Sequence, residues 1–421
     1  MAKVCVIGGG AAGMMAGIFL GRAGLSVEIL ERNEKLGKKV YITGKGRCNL
    51  TNACPPGELM QNVVRNPKFL YSALAGFSNE DTMAFFQEAG LTLKVERGER
   101  VFPVSDKASD VIRALTNSLA EAGVRIRLST RVEKVLFGEG NKVRGVLLEG
   151  GEEISCDAVL VATGGLSYPS TGSTGDGYRF ATDAGLIVTD KSPSLVPLLI
   201  RESYGKDLMG LSLKNVTLTI KRGKKVLYQD FGEMMFTDKG ITGPLVLSAS
   251  AKVGTDLLKA GELSGFIDLK PALSNEQLDA RLLREFSANV NKQWKNVIGV
   301  LFPASLTPVI VALSGISPEK PVHEVTKGER LSLVELVKHF PLTITGLGSF
   351  NEAVVTRGGV KVGDINPATM EAKTAEGLYF AGEVLDVDAY TGGFNLQIAW
   401  STGHLAAVAI AEKLLGKDDR R

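Results

Sequence analysis

The sequence predicts an α/β fold in which a Rossmann-like domain is built from both ends of the chain, with an inserted region of strands and helices between them. Three observations favour this fold. An apolar strand, a glycine-rich helix start and a second apolar strand follow one another at the N-terminus. Short alternating runs and then helical periodicity occupy the middle of the chain. The order of strand, glycine-rich turn and apolar helix returns after residue 356.

The first predicted element is a βαβ unit of about 30 residues. Lys3–Ile7 predicts a buried strand, Gly10–Ala23 predicts an apolar helix that stops before Gly24, and Leu25–Glu31 predicts the second strand. The same domain is expected to continue with a helix and three strands, at Asp106–Ala122, Arg125–Ser129, Val143–Leu148 and Val159–Thr163.

The inserted region begins near Pro193 and first shows the alternation of β-strands. Val216–Ile220 and Lys225–Tyr228 predict a hairpin that turns at Arg222-Gly223. Helical periodicity then runs over Ser274–Leu301, where Ser274 and Gln277 have the spacing of a capping box. A further helix is predicted over Leu331–Phe340 and a strand over Leu342–Thr345.

The end of the chain returns to the first domain. Leu378–Glu383 predicts a strand that enters a glycine-rich turn, and Leu396–Lys413 predicts a largely apolar helix. The predicted boundaries are residues 1–192 and 356–421 for the two parts of the Rossmann-like domain, 193–272 and 341–355 for the β-rich insert, and 273–340 for a helical subdomain.

Composition limits the classes of function. The net charge is +3 and no run of basic residues stands out, so the sequence predicts no nucleic-acid partner. The four cysteines include no CxxC pair, so neither a metal site nor a redox dithiol is expected. Without an uninterrupted apolar stretch of about 20 residues, no membrane span is expected, and the predicted location is the cytoplasm.

The strongest local motif is Gly8-x-Gly10-x-x-Gly13, which joins the first strand to the first helix. Gly8 permits the tight turn, Gly10 lets the backbone approach a pyrophosphate, and Gly13 lets helix and strand pack closely. The helix N-terminus adds N–H groups and positive potential. Glu31, at the end of the next strand, is expected to accept hydrogen bonds from the adenosine ribose. The motif therefore predicts a dinucleotide site.

Later motifs favour FAD over NAD as that dinucleotide. Gly377–Glu383 has the form of the second flavin motif, with Glu383 where Asp is usual, and Ala162–Gly165 supplies the middle motif. Gly392–Gln397 precedes the last helix, whose N–H groups are expected to meet the N1/O2 edge of the flavin. The basic segment Gly37–Asn52 is expected to neutralise the pyrophosphate, with a solvated loop as the alternative.

The predicted FAD-binding residues come from these motifs. They are Gly8, Gly10, Ala11, Ala12, Gly13, Glu31, Arg32, Lys38, Lys39, Gly44, Gly46, Arg47, Cys48, Asn49, Val132, Ala162, Thr163, Gly164, Gly382, Glu383, Asp386, Gly393, Phe394, Asn395 and Leu396.

Several long motifs resemble a known bacterial family, the NAD(P)/FAD-dependent oxidoreductases also called NAD(FAD)-utilising dehydrogenases. Thr43–Asn52 resembles its signature TGGGRCNLTN, with Lys45 in place of the middle glycine. Ala162–Gly177 resembles ATGGxSYPxTGSTGDG, and Phe236–Pro244 is similar to FTHxGISGP, with Asp238 where a His is common. The resemblance spans nearly the whole chain. It implies non-covalent FAD, a FAD domain, an inserted β-barrel-like domain and a small helical domain.

Members of that family have been described as aminoacetone oxidases and as bile-acid dienone reductases, so the resemblance implies an FAD-dependent oxidoreductase without fixing its substrate. No second nucleotide fingerprint is present, so we expect NAD(P)H to dock transiently at the flavin. We favour reduction of a small conjugated carbonyl by FAD, which a reducing cytoplasm and the family resemblance both allow. An amine or amino-ketone oxidase that forms peroxide and a non-enzymatic redox sensor remain alternatives. No catalytic residue is assigned, and candidate proton donors are Arg100, Tyr168, Tyr390 and Cys48. Oligomeric state is left open.

Overall fold

The computed structural model describes residues 1–416. The chain divides into two compact units. Unit 1 joins Met1–Ser194 to the chain from Phe350 onward, and unit 2 is Leu195–Ser349. Within residues 1–416, no helix combines the length and the apolar character that crossing a bilayer requires.

The elements are numbered in chain order. The strands are β1 (Lys3–Ile7), β2 (Ser26–Leu30), β3 (Thr51–Asn52), β4 (Val63–Arg65), β5 (Leu93–Glu96), β6 (Arg100–Pro103), β7 (Arg125–Arg127), β8 (Val132–Phe137), β9 (Val143–Leu148), β10 (Glu153–Ser155), β11 (Ala158–Val161), β12 (Ser192–Ser194), β13 (Leu198–Ile200), β14 (Ser212–Arg222), β15 (Lys225–Phe236), β16 (Gly240–Thr242), β17 (Leu263–Asp268), β18 (Phe340–Leu347), β19 (Val355–Arg357), β20 (Leu378–Phe380) and β21 (Asp388–Ala389). The helices are α1 (Ala11–Arg22), α2 (Lys38–Ile42), α3 (Pro56–Gln61), α4 (Tyr71–Gly76), α5 (Asn79–Glu88), α6 (Ala108–Glu121), α7 (Asp176–Asp183), α8 (Tyr204–Asp207), α9 (Pro244–Ala260), α10 (Asn275–Ser287), α11 (Trp294–Ile298), α12 (Leu306–Leu313), α13 (Lys327–Lys338) and α14 (Phe394–Leu415).

Unit 1 is built on a five-stranded parallel sheet in the order β20-β11-β1-β2-β7. Four residues of β1 and all four of β11 are buried, as expected for strands covered on both faces. The chain leaves β1 towards β2 on one side, while β11 lies on the other. This arrangement is a topological switch point, and ligands of open α/β sheets bind at the carboxyl ends of the strands there.

Smaller antiparallel sheets complete unit 1, in the orders β10-β9-β8, β3-β6-β5, β12-β19 and β21-β4. The buried helix α14 packs along α1 at a position where Gly403 comes so close that an added Cβ would lie 2.5 Å from the carbonyl oxygen of Ala12. The buried Trp400 donates its indole N–H to the carbonyl oxygen of Leu50 at 2.9 Å. These contacts fix the beginning of α14 beside β3.

Unit 2 contains a closed barrel of antiparallel strands in the order β13-β16-β15-β14-β17-β18, together with α10–α13. Its core includes the fully buried Trp294, Phe236 and Phe340. The predicted capping box at the start of α10 is confirmed, because Ser274 and Gln277 bond to each other's backbone N–H. The α/β class with a Rossmann-like sheet, a barrel and helices is likewise confirmed.

Two predicted helices differ from the observed ones. The predicted helix over Leu331–Phe340 is α13, which begins at Lys327 because Thr326 and Glu329 form an unrecognised capping box. It stops before Phe340, which instead pairs with Ile267 in the barrel. The predicted helical run over Ser274–Leu301 is interrupted between α10 and α11.

Candidate cofactor and active site

The turn after β1 is lined by backbone that only glycine allows. Gly8 has φ +106°, and a Cβ on Gly13 would lie 1.9 Å from the carbonyl oxygen of Gly8. Gly10, the N-cap of α1, is different, since a Cβ there would meet no atom of the described residues within 4 Å and none of their side chains caps the helix. The first turn of a helix leaves N–H groups without intrahelical partners. An open, uncapped helix start fits the pyrophosphate of FAD.

Glu31 holds this turn from the end of β2. Its buried carboxylate accepts the N–H of Gly9 at 2.7 Å through Oε2, and Oε1 accepts from both the N–H and the side-chain amide of Asn33, at 2.8 and 2.7 Å. A carboxylate oxygen has two acceptor positions, so Oε2 retains capacity for a hydroxyl group of the ribose. The chain before Val132 lies beside this site, because Thr130 N–H bonds to the carbonyl oxygen of Glu31 at 2.9 Å.

We predict that Glu31→Ala lowers FAD retention at least about tenfold, because it removes the proposed ribose acceptor and three hydrogen bonds that hold the turn, one from Gly9 and two from Asn33. Flavin absorbance per protein after extensive dialysis measures the retention. Glu34→Ala is the matched control, since Glu34 is exposed and its ion pair within residues 1–416 is with Lys38. Full flavin content in Glu31→Ala would contradict the assignment.

Glu383 joins three chain segments of unit 1. Its Oε1 accepts Ser167 Oγ–H at 2.7 Å and Thr356 N–H at 2.9 Å, and Lys39 Nζ contacts Oε2 at 2.5 Å. Gly165 lies against this network, since an added Cβ would be 2.9 Å from Glu383 Oε1. Lys39 also bonds to Ser167. Two predicted FAD ligands, Lys39 and Glu383, are therefore brought together, and each already has a protein partner.

Basic residues predicted to bind FAD, in the segment Gly37–Asn52 and at Arg32, already have protein partners. Arg47 pairs with both Glu96 and Asp106 at 2.5 Å and lies over the ring of Phe102, so its charge is balanced by protein carboxylates. Arg32 bonds to Asp176 at 3.1 Å in a similar way. Lys38 contacts the side chains of Asn33 and Glu34.

Among the neutral side chains of the predicted site, two buried oxygens are unsatisfied. Asn49 Oδ1 and Thr163 Oγ1 have no hydrogen-bond partner within residues 1–416. Buried polar atoms normally have partners, so these two call for a donor or acceptor that the protein does not supply. Gly164, with φ +72°, follows Thr163 directly. The unsatisfied oxygens fit a polar ligand such as FAD.

The loop before α14 is fixed to β3. A Cβ on Gly393 would lie 2.3 Å from the carbonyl oxygen of Thr51, and Gly393 has φ +99°. The Asn395 side chain accepts Ala389 N–H at 3.0 Å and donates to the carbonyl oxygens of Ala389 and Tyr390. In the described part of the chain, no side chain caps α14. Phe394 begins the helix nine residues before Gly403, so the starts of α1 and α14 are separated by about 14 Å along α14, which suits an elongated ligand.

The four candidate proton donors differ in burial and in their surroundings. Arg100 is exposed and donates to the carbonyl oxygen of Arg97 at 3.0 Å. Tyr168 is half-buried in a left-handed turn with φ +51°, and Tyr390 lies at the loop before α14. Burial raises the pKa of the Cys48 thiol to about 12, so it stays neutral at ordinary pH.

The buried carboxyl of Asp388, two residues after Asp386, was not among the residues predicted from the sequence. Its Oδ2 accepts Ser194 Oγ–H at 3.0 Å, whereas Oδ1 has no hydrogen-bond partner within the described residues. Burial raises the pKa of Asp388 to about 6, although Ser194, Arg357 and Arg65 oppose the shift. Asp386, by contrast, pairs with Arg65 at 2.5 Å. The alternating Asp386-Val-Asp388 pattern was the available signal.

We predict that Asp388→Asn stabilises the apoprotein at alkaline pH. The folded pKa lies above the ordinary value of 3.8, so ionisation of Asp388 lowers the free energy of unfolding as pH rises from about 4 through about 6. Removing the ionisable group is expected to add up to about 3 kcal/mol at pH 8 and almost nothing at pH 4. Urea unfolding at both pH values measures this difference.

Asp386→Asn is the matched control and is expected to have the opposite sign at pH 8, because it breaks the ion pair with Arg65. An equal loss of stability in both variants at pH 8 would show that the Asp388 carboxylate is favoured by its surroundings, contrary to the prediction.

Comparisons with known proteins agree with this architecture. The family model described as "HI0933-like protein Rossmann domain" matches residues 2–409. A 3-dehydro-bile acid delta(4,6)-reductase of Clostridium scindens is 34% identical over 98% of this chain and 100% of its own length. A ribosomal RNA dihydrouridine synthase of Haemophilus influenzae is 33% identical, with 97% of this chain and 98% of its own covered.

A solved structure shares the fold. It is a 3-ketosteroid-delta4-(5alpha)-dehydrogenase of Rhodococcus jostii RHA1, which aligns with a TM-score of 0.53 at 16% identity over 98% of this chain and 97% of its own.

Proposed function

Because this chain belongs to the HI0933-like Rossmann family of FAD-dependent oxidoreductases, we propose that it reduces a carbon–carbon double bond conjugated with a carbonyl group, using NAD(P)H as electron donor. The observation that carries the proposal is the pair of helix starts at Gly10 and Gly393, neither of which is capped by a described side chain, and which fit the two ends of an elongated flavin cofactor. Bound FAD would accept a hydride from a nicotinamide and deliver it to the substrate.

The two relatives are named for reactions of one chemical type. A 3-dehydro-bile acid with Δ4 and Δ6 double bonds is a conjugated dienone, and the 5,6 double bond of uridine is conjugated with a ring carbonyl. In each case hydride adds at the carbon remote from the carbonyl, a proton adds at the adjacent carbon, and negative charge develops on the carbonyl oxygen. This shared reaction supports the class of substrate proposed here for the chain.

The protein's own part is to orient the reactants and to balance charge. Backbone N–H groups at an uncapped helix start stabilise developing negative charge without reorganising. Gly393 and Asn395 hold the start of α14 in place through β3 and Ala389. The network of the buried Ser167 with the half-buried Lys39 and Glu383 holds the glycine-rich loop at Gly165. These residues orient the reactants and stabilise charge without transferring protons themselves. The proposed reaction is therefore compatible with the scarcity of histidine.

The experiment that tests the proposal follows deuterium from the nicotinamide into product. NADPH and NADH deuterated at C4 are supplied under nitrogen with a steroid 4,6-dien-3-one or with deproteinised bacterial ribosomal RNA, and products are analysed by mass spectrometry. We expect one deuterium on the carbon remote from the carbonyl. An FAD-depleted sample is the control. Oxygen consumption and peroxide formation with amines, without reduction of either substrate, would overturn the proposal.

A further inference from the structure

The hairpin of β14 and β15 extends beyond the strands beside it. Arg222 pairs with Lys225, and Lys221 pairs with Val226. On one side, β17 follows β14 only as far as Lys221. On the other side, β16 pairs with β15 only near Phe236. The turn from Arg222 to Lys225 therefore projects past the neighbouring strands of the barrel.

The projecting turn concentrates positive charge. Its sequence is Lys221-Arg222-Gly223-Lys224-Lys225, and Arg222, Lys224 and Lys225 are exposed. Arg222 and Lys225 face each other across the hairpin, and like charges directly opposite destabilise an antiparallel pair. In the part of the chain described, Lys224 and Lys225 form no ion pair. The repulsion within the turn is thus only partly relieved by the protein.

A carboxylate of α9 contacts the turn, and two lysines lie on the same face of that helix. Asp256 of α9 accepts from Arg222 Nη1 at 3.0 Å. Lys252 and Lys259 are four residues before and three residues after Asp256, so they share its helix face, and both are exposed. We name this surface the basic hairpin patch; its cations are Arg222, Lys224, Lys225, Lys252 and Lys259.

We propose that the basic hairpin patch binds the phosphate backbone of a folded RNA that carries the uridine to be reduced. This inference rests on the proposed function and selects RNA among its substrates. Lysine and arginine contacts to phosphates position proteins on nucleic acids without reading sequence. A polyanion would relieve the repulsion between Arg222 and Lys225, and a small steroid would not need a charged surface on a projecting hairpin. Net charge alone concealed this surface, because acids elsewhere offset it.

Lys224→Gln/Lys225→Gln tests the patch without touching the barrel core. The matched control is Lys292→Gln/Lys327→Gln, which removes the same charge from exposed positions elsewhere in unit 2. The probe is a fluorescein-labelled RNA stem-loop, and binding to the FAD-loaded proteins is followed by anisotropy over a series of KCl concentrations. We expect the patch variant to bind the RNA at least about tenfold more weakly. The slope of log affinity against log salt should also become less steep by about 1.5, because each of the two lost phosphate contacts contributes about 0.7–0.9 to its magnitude.

The control variant is expected to retain wild-type affinity and slope. Equal losses in both variants, or none in the patch variant, would overturn the proposal. Vesicles of phosphatidylserine and phosphatidylcholine form a second arm. Patch-dependent binding to vesicles, with no binding of the stem-loop, would assign the surface to membranes and overturn the RNA proposal.

Failure of RNA docking is distinguishable from failure of the proposed reaction. Reduction of the steroid 4,6-dien-3-one by NAD(P)H is measured with the same proteins, and the patch variant is expected to match the wild type. A wild type that reduces neither substrate would refute the reaction, whereas the salt slopes would still decide whether the patch binds RNA.

Discussion

Gly10→Ala is expected to fold normally and to lose FAD. Gly10 has φ −86° and ψ −166°, which alanine adopts without strain, and its Cβ would meet no atom of residues 1–416 within 4 Å. The apoprotein should therefore keep its free energy of unfolding within about 1 kcal/mol, the cost of alanine at an N-cap. The same methyl group would occupy the space through which the pyrophosphate approaches α1, so FAD affinity should fall at least about 100-fold, or about 3 kcal/mol.

The measurement pairs urea unfolding of the apoprotein with titration of FAD into it, followed by flavin fluorescence. Gly76→Ala is the matched control, because Gly76 is also open around its Cβ but lies at the end of α4. It should retain FAD. Wild-type affinity in Gly10→Ala would show that the ligand does not approach the start of α1.

Gly13→Ala is expected to damage the fold itself. Its Cβ would lie 1.9 Å from the carbonyl oxygen of Gly8, a backbone atom that no side-chain rotation can move. The first turn of α1 would have to separate from the end of β1, at a cost of about 3 kcal/mol or more. Loss of FAD should follow from this loss of structure.

Gly17→Ala, one turn further along α1, provides a graded comparison. Its Cβ would approach the side-chain ends of Ile29 and Leu119 at 2.9 and 3.1 Å, which can shift. Its loss of unfolding free energy should be clearly smaller than that of Gly13→Ala. Equal stabilities of the two variants in urea would refute the packing argument.

The sequence predicted the elements whose signals are local. The bounds of β1 and of β9 match, and the Ser274–Gln277 capping box is where its spacing predicted. The hairpin at Arg222-Gly223 is also where predicted, but its strands run to Ser212 and Phe236. The additional residues of these two strands are extended because they pair with neighbouring strands of the barrel, and the alternation of polar and apolar residues did not reveal them.

The features that the sequence did not reveal depend on tertiary packing. Asp388 became notable only when burial in unit 1 was known, and Arg47 proved to be paired with acids from β5 and the chain after β6. Phe340 carries an apolar signal that suits either a helix or a strand, and pairing with Ile267 decided between them. The cations of the basic hairpin patch were hidden by an average over the whole chain.

The most direct test of the central claim is anaerobic visible spectroscopy of the FAD-loaded protein. NADH and NADPH are added in turn, followed by a steroid 4,6-dien-3-one or deproteinised ribosomal RNA. The proposal predicts that a nicotinamide bleaches the flavin absorption and that a conjugated carbonyl restores it under nitrogen. A flavin that neither nucleotide bleaches, or that only oxygen restores after bleaching, would contradict it.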